Sequence, residues 1–233
     1  MSLLTPDQPY GNPAFALLSD EVDTVLDLVC RGAEEARAHV TPGMLEVPTT
    51  IIIRKAMRRV KRTLGLTNLQ VRGEQEIDNM ATPDQAILGR IDITLQFLRQ
   101  FGDEDAFVAV ECKRVRAGDA GLNTKYVTEG VERFVSGKYA AGHAWGFMLG
   151  YVLALPVHDI VAAIDQRIRR TYGESAALSP TQPHTQALQV LENGLLQGGH
   201  HPIRLRHIFV DMLPADAQQS LAEVVPPQNS STL

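Results

Sequence analysis

The sequence predicts an α/β protein, a single domain in which helices flank a mixed central sheet. Three observations point there. Two stretches before residue 65 carry apolar side chains at helical spacing, residues 68–115 switch to short runs rich in Val, Ile and Phe, and helix-like and strand-like stretches then alternate. Hairpin-connected strands followed by such alternation combine antiparallel and parallel pairing in one sheet.

The first helix is read over "LSDEVDTVLDLVCRGAEEARAHV" (18–40), with Ser19 as N-cap and Val22, Val25, Leu26, Val29 and Ala33 on one face. A second, roughly Thr49 to Leu64, sets Ile53, Met57, Val60 and Leu64 on its apolar side and Arg54, Lys55, Arg58, Arg59, Lys61 and Arg62 on the other. Past Gly65, "NLQVRGEQEID" (68–78), "AILGRIDITLQFL" (86–98) and "AFVAVECKRV" (106–115) read as three strands joined through the turns "NMATPDQ" and "RQFGDED". "TKYVTEGVERFVSGKYA" (124–140) returns to helical spacing through Tyr126, Gly130 and Phe134, and "AWGFMLGYVLA" (144–154) follows as a strand. Pro156 suits the first turn of a helix over "PVHDIVAAIDQRIRR", residues 171–186 read as a loop, and "HPIRLRHIFVDML" (201–213) reads as a last strand. The expected organisation is a flexible arm over 1–16, one domain over 17–214 and a tail over 215–233.

Composition narrows the function classes. With 233 residues, 44% hydrophobic and 21% charged, the chain can bury one sizeable core. A formal net charge of −5 excludes a generally basic coat, so any nucleic-acid contact must come from a local patch. The basic face of the second helix is that patch, with Arg54, Arg58 and Arg62 as phosphate contacts; its plainer reading is the solvated side of an amphipathic helix. Two cysteines, Cys30 and Cys112, are too few for a disulfide framework and lack CxxC or Cys/His zinc spacing, which fits a reducing cytoplasm. The first residues lack a basic segment followed by an apolar one, and no run approaches the about 18 apolar residues of a membrane span. A cytoplasmic protein is expected.

One stretch stands apart, "VAVECKRV" (108–115), which sets an acid and a base inside an apolar strand. Alternation puts Val108, Val110 and Cys112 on one face and Ala109, Glu111 and Lys113 on the other. On the preceding strand Asp92, in "GRIDITL", can approach Glu111 across the hairpin. Two neighbouring carboxylates repel unless a cation lies between them, and a hard, oxygen-seeking ion such as Mg²⁺ suits them, with Mn²⁺ as substitute. The Val110 or Cys112 carbonyl is a further oxygen within reach. Lys113 could deprotonate or orient the attacking water, or steady the charge that develops on a phosphate. The plain alternative is a cross-strand ion pair on a solvated sheet face.

"GRIDITL" with Asp92 and "VAVECKRV" with Glu111 and Lys113, one hairpin apart, resemble the PD-(D/E)xK nuclease superfamily, the restriction endonuclease-like fold. The resemblance covers about half the chain. It implies an αβββαβ core, here about residues 47–154, and Mg²⁺-dependent hydrolysis of phosphodiesters in DNA, with restriction or anti-phage defence as the setting. It also implies a further acid ahead of the aspartate. Glu74 and Glu76 are the nearer candidates, Glu46 opens the second helix, and Glu34 and Glu35 lie further off. "KYVTEGVERFVSGKYA" is similar to a Y-x3-G-x2-RF-x2-GKY segment of some restriction-like nucleases, which implies phosphate contacts from Lys125 or Arg133.

Other motifs carry less. His143, His158, His200, His201 and His207 lack zinc-site spacing and are assigned to loops and strand edges; "GLLQGGHH" lacks the ending of a phosphate loop. Trp145, Phe147 and Tyr151 are expected to fill the core. The leading expectation is thus a DNA endonuclease, as a homo-oligomer or with a partner protein, since one small acidic domain engages few phosphates. The alternatives are a nuclease-fold subunit, latent until a partner docks, and an α/β protein whose ExK is accidental.

Overall fold

The computed structural model describes residues 17–41, 43–78, 84–181 and 188–213. The expected arm, the expected tail, and parts of the turn 79–85 and the loop 171–186 lie outside the described residues. The protein is α/β. A mixed seven-stranded sheet carries helices on both faces, with a separate two-stranded sheet beside it.

Helix α1 (Ser19–Ala36) starts one residue earlier than its expected cap: Leu18 holds the N-cap position, and its N–H donates to Glu21 Oε2 at 3.0 Å. Helix α2 (Glu46–Thr63) begins a turn before Thr49, and buries Ile53, Ala56, Met57 and Val60 but not Leu64. The first expected strand is two: β1 (Leu69–Arg72) and β2 (Gln75–Asp78), parted at Gly73 and Glu74. The second is also two, β3 (Ile87–Ile91) and β4 (Ile93–Phe97), parted at Asp92. β2 and β3 form the separate sheet, while in the main one β4 runs antiparallel to its two neighbours, β1 and β5 (Val108–Val115).

Helix α3 covers 120–135 as Ala120–Lys125, a π-helical stretch Tyr126–Val131, and Glu132–Val135. Asp119 caps it, accepting from Leu122 N at 3.0 Å, and Gly137 at φ 73° turns the chain soon after its end. β6 (Trp145–Val152) lies parallel to β5. Helix α4 (Val157–Tyr172) has Pro156 at its N-cap and stops at Gly173, whose φ is 95°. A short strand β7 (Ser179–Pro180) interrupts the expected loop. β8 (Leu188–Gln197) was not legible as a strand, because Glu192, Asn193 and Gly194 break its apolar pattern; it pairs along its length with β9 (His201–Asp211). The sheet order is β1-β4-β5-β6-β9-β8-β7.

The sheet divides two cores. α1 and α2 pack on a face that includes Val108, Val110, Cys112, Phe147, Leu149 and Tyr151. α3 and α4 pack on the other, which includes Ala109, Val115, Met148, Val152 and Phe209. Because both faces are covered, Glu111 and Lys113 are buried rather than solvated. Among the described residues no helix is long and apolar enough to cross a membrane.

Candidate active site at the fork between β4 and β5

The site follows from where two strands part. β4 pairs with β5 only from Ile93 to Leu95, opposite Val110 to Val108. At Asp92 the chain leaves the main sheet for β3, so the β5 edge beyond Val110 loses its partner strand. Its inward N–H groups, on alternate residues, then need other acceptors. Two carboxylates provide them: Asp92 Oδ2 accepts from Cys112 N at 2.8 Å, and Glu46 Oε2 accepts from Arg114 N at 3.2 Å. The same break that bends the strand thus brings both acids to the ExK segment.

Behind them lies a buried charge cluster. Lys113 Nζ donates to Glu111 Oε1 at 2.6 Å, to the Cys112 carbonyl at 3.0 Å and to Glu46 Oε1 at 3.3 Å. Arg133 Nη1, from α3, reaches the same Glu111 oxygen at 2.9 Å. Glu111 is 0% exposed, and its second oxygen, Oε2, is buried without a hydrogen-bond partner among the described residues. A buried, unpaired carboxylate oxygen is costly and marks a place where a partner belongs. The mouth is formed by Glu46 and Arg133, whose side chains keep about a third of their surface, 34% and 30%.

Protonation follows the geometry. Burial, then Asp92, pushes the Glu111 carboxyl up to about 8 against the opposing pull of Lys113 and Arg133. Burial also raises Asp92; Lys113 and the Cys112 N–H work against it, and Glu46 adds to it. Burial alone would lower Lys113, but Glu111, Glu46 and Asp92 together hold it above the usual lysine range. Lys113 is therefore an ammonium. Of the roles open to it, orienting water and steadying phosphate charge fit this state, and taking a proton from water does not.

The donor set suits a hard divalent cation. Asp92 and Glu111 both offer carboxylate oxygens, Asp92 raises the proton affinity of Glu111, and Glu111 Oε2 has no hydrogen-bond partner among the described residues. No group of three or more Asp, Glu, His or Cys side chains arranged to hold a metal exists among the described residues. Two carboxylates with water and substrate phosphate completing the shell is a usual mode for Mg²⁺. Cys112 offers little more: its carbonyl already accepts from Lys113, and its thiol faces the opposite core, where burial raises it well above its usual value.

Several expectations need correction. Glu74 and Glu76 do not join the cluster; both pair with Arg90 on the exposed β2–β3 hairpin, at 3.3 and 2.9 Å. Glu46 is the acid that joins Asp92 and Glu111 around Lys113. Glu35 pairs with Arg59 on the outer side of α1 and α2. Arg58 donates to the Val71 carbonyl at 3.0 Å and so ties α2 to β1, while Arg62 is exposed. Arg54 lies flat against Gly73, where an added Cβ would fall 1.7 Å from its Nη1. Lys125 faces solvent and pairs with Glu129 at 3.8 Å. His207 is not at an edge: it is fully buried on β9. Phe147 and Tyr151 are core residues, but Trp145 is half-buried under the guanidinium groups of Arg204 and Arg206, at 5.6 and 5.2 Å. Tyr139, which carried no expected role, has its hydroxyl against Arg133 and the Arg90 carbonyl. Its place in "GKYA" beyond the helix gave no sign of that.

Compared with protein-family models, with curated proteins and with solved structures, the chain matches none.

Proposed function

We propose that the chain is a metal-dependent phosphodiesterase of the PD-(D/E)xK type that cleaves DNA. The observation that carries the reading is the meeting of Asp92, Glu111, Lys113 and Glu46 at one strand fork, with a buried carboxylate oxygen lacking a partner among the described residues. The order of elements supports it: α2, β1, β4, β5, α3 and β6 follow the αβββαβ sequence, and the β2–β3 hairpin is an insertion within it.

Asp92 and Glu111 would hold the ion. When bound, it supplies charge neutralisation at the scissile phosphate and lowers the proton affinity of the attacking water. Lys113, an ammonium fixed by Glu111 and the Cys112 carbonyl, presents positive charge where phosphate negative charge grows during in-line attack. Glu46 steadies Lys113 from the mouth of the site and closes the β5 edge. The exposed cations of α2 offer a track for the nucleic-acid backbone. Restriction or defence against phage is the proposed setting.

A second reading, a nuclease-fold subunit that acts only through a partner, draws on the double use of Glu111 Oε1 by Lys113 and Arg133, which closes the site with the protein's own cations. One assay separates the two. The purified chain is incubated with Mg²⁺ or Mn²⁺ and plasmid, linear duplex, single-stranded DNA or RNA, beside Asp92→Asn and Lys113→Ala. Cleavage of DNA that both variants lose supports the enzyme. Cleavage of none of these by the chain alone removes the first reading, and cleavage that survives both substitutions removes the site.

A further inference from the structure

We infer that Arg133 is the positioning residue of Glu111, fixing which of its two oxygens faces the ligand, rather than a contact to substrate phosphate. The inference rests on the nuclease reading for its catalytic meaning, but its geometry stands without it.

Arg133 Nη1 and Lys113 Nζ both donate to Glu111 Oε1, at 2.9 and 2.6 Å, and Oε2 has no hydrogen-bond partner among the described residues. A carboxylate gripped twice on one oxygen cannot rotate freely about its terminal bond. Oε2 is therefore the oxygen left for a cation. Arg133 is itself held: the Arg90 carbonyl accepts from its Nη1 at 3.3 Å, the Tyr139 hydroxyl contacts the same nitrogen, and the guanidinium carbon lies 5.1 Å from the Tyr139 ring centroid. The Tyr139 hydroxyl in turn donates to the Arg90 carbonyl. Arg90 lies on β3 two residues before Asp92, so the grip links α3 to the strand break that places the other carboxylate.

The helix explains why Arg133 points there. A π-helical turn takes an extra residue and rotates all later side chains of the helix by roughly 100° relative to an unbroken one. The π stretch Tyr126–Val131 ends two residues before Arg133. One residue either way would bring Glu132 or Phe134 to Glu111; Glu132 instead accepts from the Tyr172 hydroxyl at 2.7 Å, and Phe134 is buried in the core. Both ends of the π stretch are pinned. At its start the Tyr126 hydroxyl meets His207 Nδ1 at 3.0 Å, and His207 Nε2 meets Asn193 Oδ1 at 3.0 Å. Asn193 Oδ1 can only accept, so the imidazole carries its proton on Nε2 and Tyr126 donates to Nδ1. Near its end Gly130 lets the helix sit on β5 and β6, since an added Cβ would fall 2.5 Å from Met148 Cε and 3.5 Å from Lys113 Cγ.

The test uses the full chain as Arg133→Gln, Arg133→Lys and Tyr139→Phe, with two readouts. In steady-state cleavage, positioning lowers kcat by about 10–100-fold in Arg133→Gln, with KM for DNA and the salt dependence unchanged and part of the loss recovered in Arg133→Lys. A rise in KM with a shallower salt dependence and an unchanged kcat would overturn it. The second readout needs no activity. In ¹⁵N-arginine NMR spectra, the guanidinium resonance assigned by its absence in Arg133→Gln is expected to shift in Glu111→Gln and in Tyr139→Phe. A resonance that ignores both substitutions overturns the inference; one that responds, in a chain that cleaves nothing, leaves the positioning role standing and counts against the nuclease reading alone.

Discussion

Replacing Lys113 by Met removes the ammonium at the centre of the cluster while keeping most of the side-chain volume. Three acceptors then lose their donor: Glu111 Oε1 at 2.6 Å, the Cys112 carbonyl at 3.0 Å and Glu46 Oε1 at 3.3 Å. Breaking a buried ion pair by removing one partner costs about 3–5 kcal/mol, because a buried charge is left uncompensated. Here the cost is capped. Glu111 keeps Arg133, and its carboxyl, already pushed up to about 8 by burial and Asp92, takes a proton rather than remain bare. The expected loss is about 3 kcal/mol at neutral pH, the low end of that range. Urea unfolding of the full chain measures it. The partner variant Glu111→Gln, and the double variant, complete a cycle in which the two changes together cost at least about 1 kcal/mol less than their sum, of the order expected for contacting residues. A Lys113→Met variant within about 0.5 kcal/mol of wild type, the range of an ordinary surface change, or additive effects in the cycle, would refute the buried pair.

Further outcomes are expected at the site and beyond it. Glu46→Gln is expected to lower cleavage about 10–100-fold, as supporting partners of a metal site do, while Glu74→Gln and Glu76→Gln leave rates unchanged; equal effects from all three would return the additional acid to the hairpin. Stability should fall at both ends of the pH range. Burial pushes His207 down to about 3, so its contribution is present above the usual histidine value near 6.5 and is lost as pH falls from there toward 3, by up to about 1.4 kcal/mol per unit. The raised Glu111 acts in the opposite sense: its contribution is present below pH 4.5 and lost as pH climbs toward 8, so added Mg²⁺ should raise the melting temperature at pH 8 more than at pH 5, and an equal shift at both would count against Glu111 as a ligand. Finally, Arg62→Gln should reduce the slope of log affinity for DNA against log salt by about 1; a slope left unchanged would reduce the α2 face to a solvated surface.

Much of the central sheet could be read from residues alone because alternation is a local property. In "VAVECKRV" it separated Val110 and Cys112 from Glu111 and Lys113 correctly, and in "GRIDITL" it put Asp92 opposite them. The split at Asp92 was not legible. Ile91 and Ile93 continue the apolar pattern across it, and only the pairing of β3 with β2 reveals that the chain has changed sheets. That split also hid which acid reaches the cluster. Glu74 and Glu76 are nearer in sequence to Asp92, but Glu46, further away, is the one a helix start delivers to the vacated β5 edge. The direction of Arg133 depends on a π turn for which "YVTEGV" carries no spacing signal, and β8 was hidden by polar residues whose partners, such as His207 for Asn193, come from elsewhere in the chain.

The central claim is that Asp92 and Glu111 together hold a divalent cation. Anomalous diffraction from crystals of the full chain grown with Mn²⁺ tests it most directly. The account predicts a manganese peak at the fork between β4 and β5, within ligand distance of Asp92 and of Glu111 Oε2, and its loss in Glu111→Gln. Crystals in which Mn²⁺ binds elsewhere, or in which the fork stays without a peak while both carboxylates keep only their protein contacts, would contradict it.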